Sequence, residues 1–215
     1  LTIIGPSGCG KSTLLNIMAD LMDGDRGVIR VHGVPSADRL GQIGYMPQRD
    51  LLLPWRDMLG NIMLGPEVLG RDLAEARRRA RQLLPLFGLE GFEDSYPHEL
   101  SGGMRQRAAL MRTFLCEQEI VLLDEPLGAL DALTRRVMRD WLLEVWQEFR
   151  QSLVFVTHDV DEAVLLSDRI CVVSARPATV LSVLEIELPR PRSERMVETG
   201  RFAEYRAQIL QALGV

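Results

Sequence analysis

Apolar positions along the chain fall into two textures. Short, nearly unbroken apolar runs read as buried strands: Leu1–Ile4, Ile43–Met46, "IVLLDE" (Ile120–Glu125), "LVFVTHD" (Leu153–Asp159), "RICVVS" and "TVLSVLEIEL". Between them the spacing turns helical, over Lys11–Ala19, Met58–Leu64 and Leu73–Phe87. A longer helix carries Leu133, Val137, Trp141, Val145 and Phe149 at four-residue steps, with Met138 and Leu142 beside them. Residues 201 to 213 place Phe202, Tyr205, Ile209 and Leu213 on a final amphipathic helix. Asp23–Gly27 reads as a turn, and Val28–His32 alternates as a further strand. Strands alternating with helices predict an α/β fold with a mainly parallel sheet covered on both faces. From Gln48 to about Leu100 only helical patterns occur, broken by Pro54, Pro66, Pro85 and Pro97, which predicts a small helical insertion.

Composition narrows the function classes. The 215 residues suit one well-packed domain, and no apolar run approaches the roughly 20 residues that cross a bilayer. Net charge is −5, which argues against a globally basic nucleic-acid binder. The densest basic run, Arg77-Arg78-Arg79 with Arg81, lies in a helical pattern beside Glu75 and reads as a solvated face. Cys9, Cys116 and Cys171 lack metal-type spacing, and so sparse a set fits a reducing compartment. Leu1–Ile4 is too short for a signal peptide, and the absent initiator Met predicts a cropped N-terminus.

Of 25 basic residues only Lys11 is lysine. It lies in Gly5-Pro6-Ser7-Gly8-Cys9-Gly10-Lys11-Ser12-Thr13, which fits G-x-x-x-x-G-K-[ST] with a strand before and a helix after. Small residues let successive backbone N–H groups converge on phosphate oxygens at a helix N-terminus. Lys11 would set a compact ammonium between the β- and γ-phosphates, where a planar guanidinium is a poor substitute, and the Ser12 hydroxyl would ligate Mg²⁺. In "IVLLDEP", Asp124 at the strand end suits Mg²⁺ and Glu125 suits polarising an attacking water, although Asp-Glu-Pro also simply ends strands. His158 ends another strand at the edge where ligands bind, and Gln48, after "YMP", offers an amide to Mg²⁺ and water. His32 and His98 read as ordinary structural histidines.

"LSGGMRQR" (Leu100–Arg107) adds a second anion-binding helix start, with Ser101 as N-cap before Gly102 and Gly103. It resembles the signature motif of ATP-binding cassette proteins. The order also matches that family: phosphate loop, Gln48, Ser101, Asp124-Glu125, the "LGALD" loop (Leu127–Asp131), His158. Leu127 departs from the family's usual Phe with little chemical consequence.

The resemblance implies a P-loop NTPase (RecA-like) core over 1–47 and about 101–185, a helical subdomain over about 48–100, the signature at 100–107, and a tail and helix over 186–215. It implies an ATPase using ATP and Mg²⁺, in which Ser101–Gly103 of one copy close on the phosphate loop of a second copy in a head-to-tail dimer. Glu125, His158 and Gln48 would be catalytic, with Ser12, Gln48 and Asp124 on the metal. The aromatic residue that stacks on adenine in relatives, and the N-terminal antiparallel strands that carry it, are absent from this chain.

Within the family, "MPQRDLLLPW", "DEPLGALDALTR", "THDVDEAVLLSDRI" and "ELPRPR" are similar to the ATPase subunits of nitrate, sulfonate and taurine-type importers. That implies a peripheral place on the cytoplasmic face of the inner membrane, with integral permease subunits as partners and, indirectly, a solute-binding protein. Leu53, Pro54, Trp55 and Arg56 are the candidate permease contact, against the plainer reading of "LLLPW" as packing. A soluble cassette acting on nucleic acid or the ribosome is the rival class. Against it, only 52 residues separate Gln48 from Ser101 and no heptad run lies between them. A regulatory module with weak turnover is the other rival, favoured if the missing adenine platform is natural. The solute stays open among nitrate, sulfonates, taurine and a pyrimidine precursor.

Overall fold

The computed structural model describes residues 1–128, 130–149 and 151–214. Thr2–Ile4 forms β1, Gly44–Met46 β4, Ile120–Asp124 β5, Ser152–Thr157 β6, Arg169–Val173 β7 and Val180–Glu185 β8. They make one six-stranded sheet in the order β4-β5-β6-β1-β7-β8, parallel throughout except for β8 at one edge. β1 lies between β6 and β7, so the loop after it emerges from the middle of the sheet.

Alternate residues of each strand face opposite sides, so each strand feeds two cores. Ile3, Leu122 and Val156 pack with Leu15 of α1 (Lys11–Met18) on one face. Val121, Leu123 and Phe155 point the other way, into a core shared with the helices that follow β4. Ile4, Ile170 and Val172 pack against α7 (Val160–Leu166) and α8 (Gly200–Leu213), whose Phe202, Tyr205 and Ile209 are buried as their spacing requires.

Residues 48–100 contribute no strand to the sheet among the described residues. They hold α2 (Met58–Ile62), α3 (Leu64–Val68) and α4 (Leu73–Phe87), followed by α5 (Gly102–Phe114), the helix that opens on the signature. Asp57 caps α2 and Asp72 caps α4, while Gly88 ends α4 in the left-handed conformation. Met58, Ile62, Leu84 and Phe87 share one apolar cluster with Leu110, Phe114 and Phe155, so these helices rest on the sheet through α5.

Two expectations change. Val28–His32 is not a strand of the main sheet: only Arg30–Val31 (β2) is extended, and it pairs with Val34–Pro35 (β3) in a two-residue hairpin. His32 and Gly33 take positive φ of 52° and 78° at its turn, so the alternation of Val28 and His32 ends in a reversal. The apolar stripe of α6 (Ala132–Phe149) is the second change. At 3.6 residues per turn a four-residue step advances about 40° past a full turn, so a strict i, i+4 row winds around the helix. Leu133 is 75% exposed and Val137 55%, whereas Val145 is fully buried. Met138 and Leu142 carry the buried face at mid-helix instead. The arginine run also divides: Arg78 pairs with Glu75 in solvent, while Arg77 and Arg81 line a groove with Trp55.

Candidate functional site

Four strands deliver their C-terminal ends to one edge of the sheet: β1 runs into Gly5, β4 leads to Gln48, β5 ends in Asp124 and β6 leads to His158. Parallel pairing puts all four on the same side, where open α/β sheets bind ligands.

The loop after β1 turns tightly over β7. A Cβ on Gly5 would lie 2.5 Å from Val173 Cγ2 and 2.7 Å from its carbonyl oxygen, so only glycine fits there. Gly10 takes φ 115° at the start of α1, and no side chain caps that helix. Pro6, Ser7 and Gly8 are exposed, Cys9 is buried, and Ser12 and Thr13 face solvent on the first turn. Lys11 is 6% exposed; its ammonium donates to the carbonyls of Gly5 at 2.8 Å and Pro6 at 2.9 Å. The loop thus closes around its own lysine.

Asp124 is buried, with Oδ1 shielded and unpartnered. Burial pushes its carboxyl above the usual aspartate range; the Ser12 hydroxyl bond opposes this, Glu125 adds to it and the Lys11 charge counteracts it. Tyr45 beside it is pushed up to about 12, by burial and by the Asp124 charge. A buried, unsatisfied carboxylate oxygen against a serine hydroxyl is what a hard cation would relieve. Ser12, Asp124 and the Gln48 amide form an oxygen donor set that fits Mg²⁺. Among the described residues no group of three or more His, Cys, Asp or Glu forms a metal cluster.

Glu125 sits at positive φ of 46°, a strained setting for a non-glycine residue that aims its side chain off the strand end. Its Oε2 accepts from Gln48 Nε2 at 3.3 Å and lies 3.2 Å from His158 Nδ1. Three residues from three strand ends therefore meet at one carboxylate oxygen.

Ser101 caps α5 by accepting from the Met104 N–H at 3.2 Å, and Ser101 and Gly102 are exposed. The structure brings Gln48, Asp124, Glu125, His158, Lys11 and Ser12 together, and leaves Ser101–Gly103 as a separate helix start. Asp131 caps α6, accepting from the Leu133 and Thr134 N–H groups at 3.1 and 3.0 Å; the Thr134 hydroxyl bond first, and then these backbone bonds, hold its carboxyl below the usual range. Ala129, in the same loop, lies outside the described residues.

Several tying residues escape sequence reasoning. Gln106 is buried and donates to the Pro126 carbonyl, linking α5 to the turn after Glu125. Arg105 bonds Asp50 at 3.2 Å and the Leu100 carbonyl at 2.7 Å, and Arg112 donates to the Asp50 and Leu51 carbonyls. The segment after Gln48 is thereby clamped to the signature helix. Only helical spacing from the signature hinted at this, since the partner residues lie far off in sequence. Within "LLLPW", Leu52 packs in the core, while Trp55 is 71% exposed beside a groove of about 560 Å³ also lined by Arg56, Arg77, Glu93 and Tyr96.

Residues 1–128 match the family model described as ABC transporter. An uncharacterized ABC transporter ATP-binding protein of Methanocaldococcus jannaschii is 46% identical over 99% of this chain and 79% of its own length. The formylaminopyrimidine import ATP-binding protein ThiZ of Halalkalibacterium halodurans is 41% identical over 97% of this chain and 81% of its own. The aliphatic sulfonates import ATP-binding protein SsuB of Bacillus cereus is 40% identical over 98% and 82%. Among solved structures, a dimeric post-hydrolysis ATP-binding cassette bound to ADP and Pi superposes with a TM-score of 0.74 at 30% identity, over 87% of this chain and 85% of that one. A family model matching more than half of the chain, relatives at 40–46% identity over nearly all of it, and the shared fold together show that this chain belongs to the ABC transporter family of ATP-binding cassettes.

Proposed function

We propose that this ATPase powers an importer of a small anionic solute of the nitrate, sulfonate or taurine kind, working as a head-to-tail dimer beneath integral membrane permease subunits. The observation that carries the catalytic reading is the meeting of Gln48 and His158 on one oxygen of Glu125, next to Asp124, Ser12 and Lys11. Gly5–Thr13 wrap the phosphates with backbone N–H groups, and the Lys11 ammonium moves from the loop carbonyls to the β- and γ-phosphate oxygens. Ser12, Gln48 and Asp124 would hold Mg²⁺, which would neutralise phosphate charge. Glu125 orients and polarises the attacking water, and His158 steadies the γ-phosphate. The chemistry is phosphoryl transfer to water, driven by positioning and electrostatics.

Ser101–Gly103 serve the site of the second copy. Ser101 and Gly102 are exposed at the start of α5, and among the described residues none of Lys11, Asp124, Glu125 and His158 bonds to them, which supports a role completed by another chain. The solved cassette that superposes on this chain at a TM-score of 0.74 is described as dimeric. Residues 48–100 act as the helical subdomain between signature and membrane, and Leu53, Pro54, Trp55 and Arg56 present the permease contact. The exposure of Trp55 on its groove supports this. No helix among the described residues is long and apolar enough to cross a membrane. In this reading the ATPase docks peripherally on the cytoplasmic face through the permease, and the solute-binding protein is reached only through the permease. The named import functions of ThiZ and SsuB support an organic or sulfur-containing solute without choosing one.

The test is Glu125→Gln. It should keep ATP binding and slow hydrolysis by on the order of 10²-fold or more, the loss expected of a missing general base. Single-turnover hydrolysis beside nucleotide-binding affinity measures both, and unchanged turnover would overturn the assignment.

A further inference from the structure

The start of α6 carries an arginine that no motif singles out. Arg135 Nη2 donates to the Leu130 carbonyl at 2.9 Å, inside the loop that ends at Asp131. Its other guanidinium nitrogens face the start of α7, with Nη1 at 3.8 Å from Asp159 Oδ2 and Nε at 3.9 Å from Glu162 Oε1. Asp159 directly follows His158 and caps α7 by accepting from the Glu162 N–H at 3.0 Å. Glu162 is buried and accepts from the Thr157 hydroxyl at 2.5 Å, on the residue before His158. Arg135 thus touches the loop before α6 and both carboxylates that bracket the histidine's backbone.

The same contacts are backed from behind. Arg139, one turn along α6 and buried, reaches Asp159 at 4.0 Å and bonds Glu194 of the C-terminal segment. Arg135 Nε and Arg139 Nε are both shielded and lack a hydrogen-bond partner. Stability alone is poorly served by burying such donors unsatisfied, since apolar residues would fill the same space at lower cost.

We propose that Arg135 is a positioning residue for ATP hydrolysis, holding the Leu130–Asp131 loop and the His158 turn in one fixed relation so that His158 stays on Glu125. The inference rests on the catalytic reading above. Arg135 touches neither nucleotide loop nor Glu125, so its loss displaces His158 without removing any group that binds ATP. A displacement of this kind acts on turnover and spares affinity.

The experiment is a double-mutant cycle of Arg135→Gln and Asp159→Asn in the purified protein. Asparagine still caps α7, so only the charge contact is lost. Arg135→Gln should lower kcat by about tenfold or more with KM for ATP little changed, an effect of misplacement rather than lost binding. The double variant should lose clearly less than the sum of the two single losses, because both substitutions cut the Arg135–Asp159 contact, while Arg139 also reaches Asp159 and sets the remainder. Arg135→Lys should recover part of kcat, since an ammonium still reaches one of the two partners. Arg136→Gln, on the exposed face one residue along, is the control that keeps full activity. Full kcat in Arg135→Gln, or strictly additive losses that follow a falling Tm, would overturn the proposal. If Glu125→Gln hydrolyses ATP normally, the catalytic reading fails and this inference with it. If Glu125→Gln is inactive while Arg135→Gln is fully active, only this inference falls.

Discussion

Two glycine-flanked helix starts, α1 and α5, look alike in sequence and differ in what surrounds them. α1 begins at Gly10 with no side-chain cap, and its first turn sits against Asp124, with Lys11 folded into the loop. α5 begins at Ser101, whose side chain caps its own helix, and among the described residues no acid, base or lysine of the phosphate site bonds to it. The physics at both is the same: converging N–H groups and the positive end of a helix. Among the described residues only the first has Lys11, Asp124, Glu125 and His158 gathered around it, the groups proposed to turn phosphate binding into chemistry. The difference teaches that an anion-binding helix start is a component, and that sheet topology decides which copy of the component becomes a catalytic centre.

The sharpest way to break this comparison is at Lys11. Lys11→Arg keeps the charge but replaces a compact ammonium, held by two carbonyls in a buried loop, with a planar fork. ATP affinity should fall by on the order of 10²-fold or more, because charge-assisted hydrogen bonds are each worth about 1.5–3 kcal/mol. Equilibrium binding of a fluorescent ATP analogue measures it, and near-normal affinity would mean that charge alone suffices.

Next comes mixing. A Lys11→Ala variant and a Ser101→Arg variant should each be inactive, one lacking the phosphate cation and the other blocking the signature end. In a head-to-tail dimer, a mixed pair places both lesions in one site and leaves the other intact. Equal mixing should therefore restore roughly a quarter of wild-type ATPase activity, since about half the dimers are mixed and each has one working site of two. No recovery in demonstrably mixed dimers would show that α5 serves its own chain.

The smallest effect concerns a third helix start, that of α7. Glu162 lies in its first turn, where the helix dipole favours ionisation, yet burial pushes its carboxyl up to about 7. The Thr157 bond and the charges of Arg135 and Arg139 oppose the shift, and Asp159 reinforces it. With the folded pKa above the unfolded one, the folded state holds more protons, and stability falls as pH rises from about 4.5 to about 7. Glu162→Gln keeps the acceptor for Thr157 and removes this penalty. It should flatten that part of the pH–stability curve and gain on the order of 3 kcal/mol at pH 8. Urea denaturation at pH 4.5 and pH 8 would check it, an unchanged slope counting against a buried ionised Glu162.

How much was legible follows the range of each interaction. Strands and helices were readable because period two and period 3.6 are properties of neighbouring residues. Leu73–Phe87 matches α4 to the residue, with Asp72 before it and Gly88 after it as stop signals. Where the pattern was local but its orientation was not, reading failed: the i, i+4 row of α6 winds from solvent to core, and Val28–His32 turns back on itself. The phosphate loop was likewise visible in "GPSGCGKST", because one continuous segment supplies its converging N–H groups.

Local spacing therefore carried the elements, the phosphate loop and the identity of the residues at each strand end. It could not say that Gln48 and His158 share one oxygen of Glu125, since 77 and 33 residues separate them from it. That meeting depends on β4, β5 and β6 lying side by side in parallel, which brings their carboxyl ends to one edge. The ties of Arg105 to Asp50, Gln106 to Pro126 and Arg135 to α7 belong to the same class. Side chains that act by reaching a distant segment leave no periodic trace, because their partners are chosen by packing and not by position along the chain.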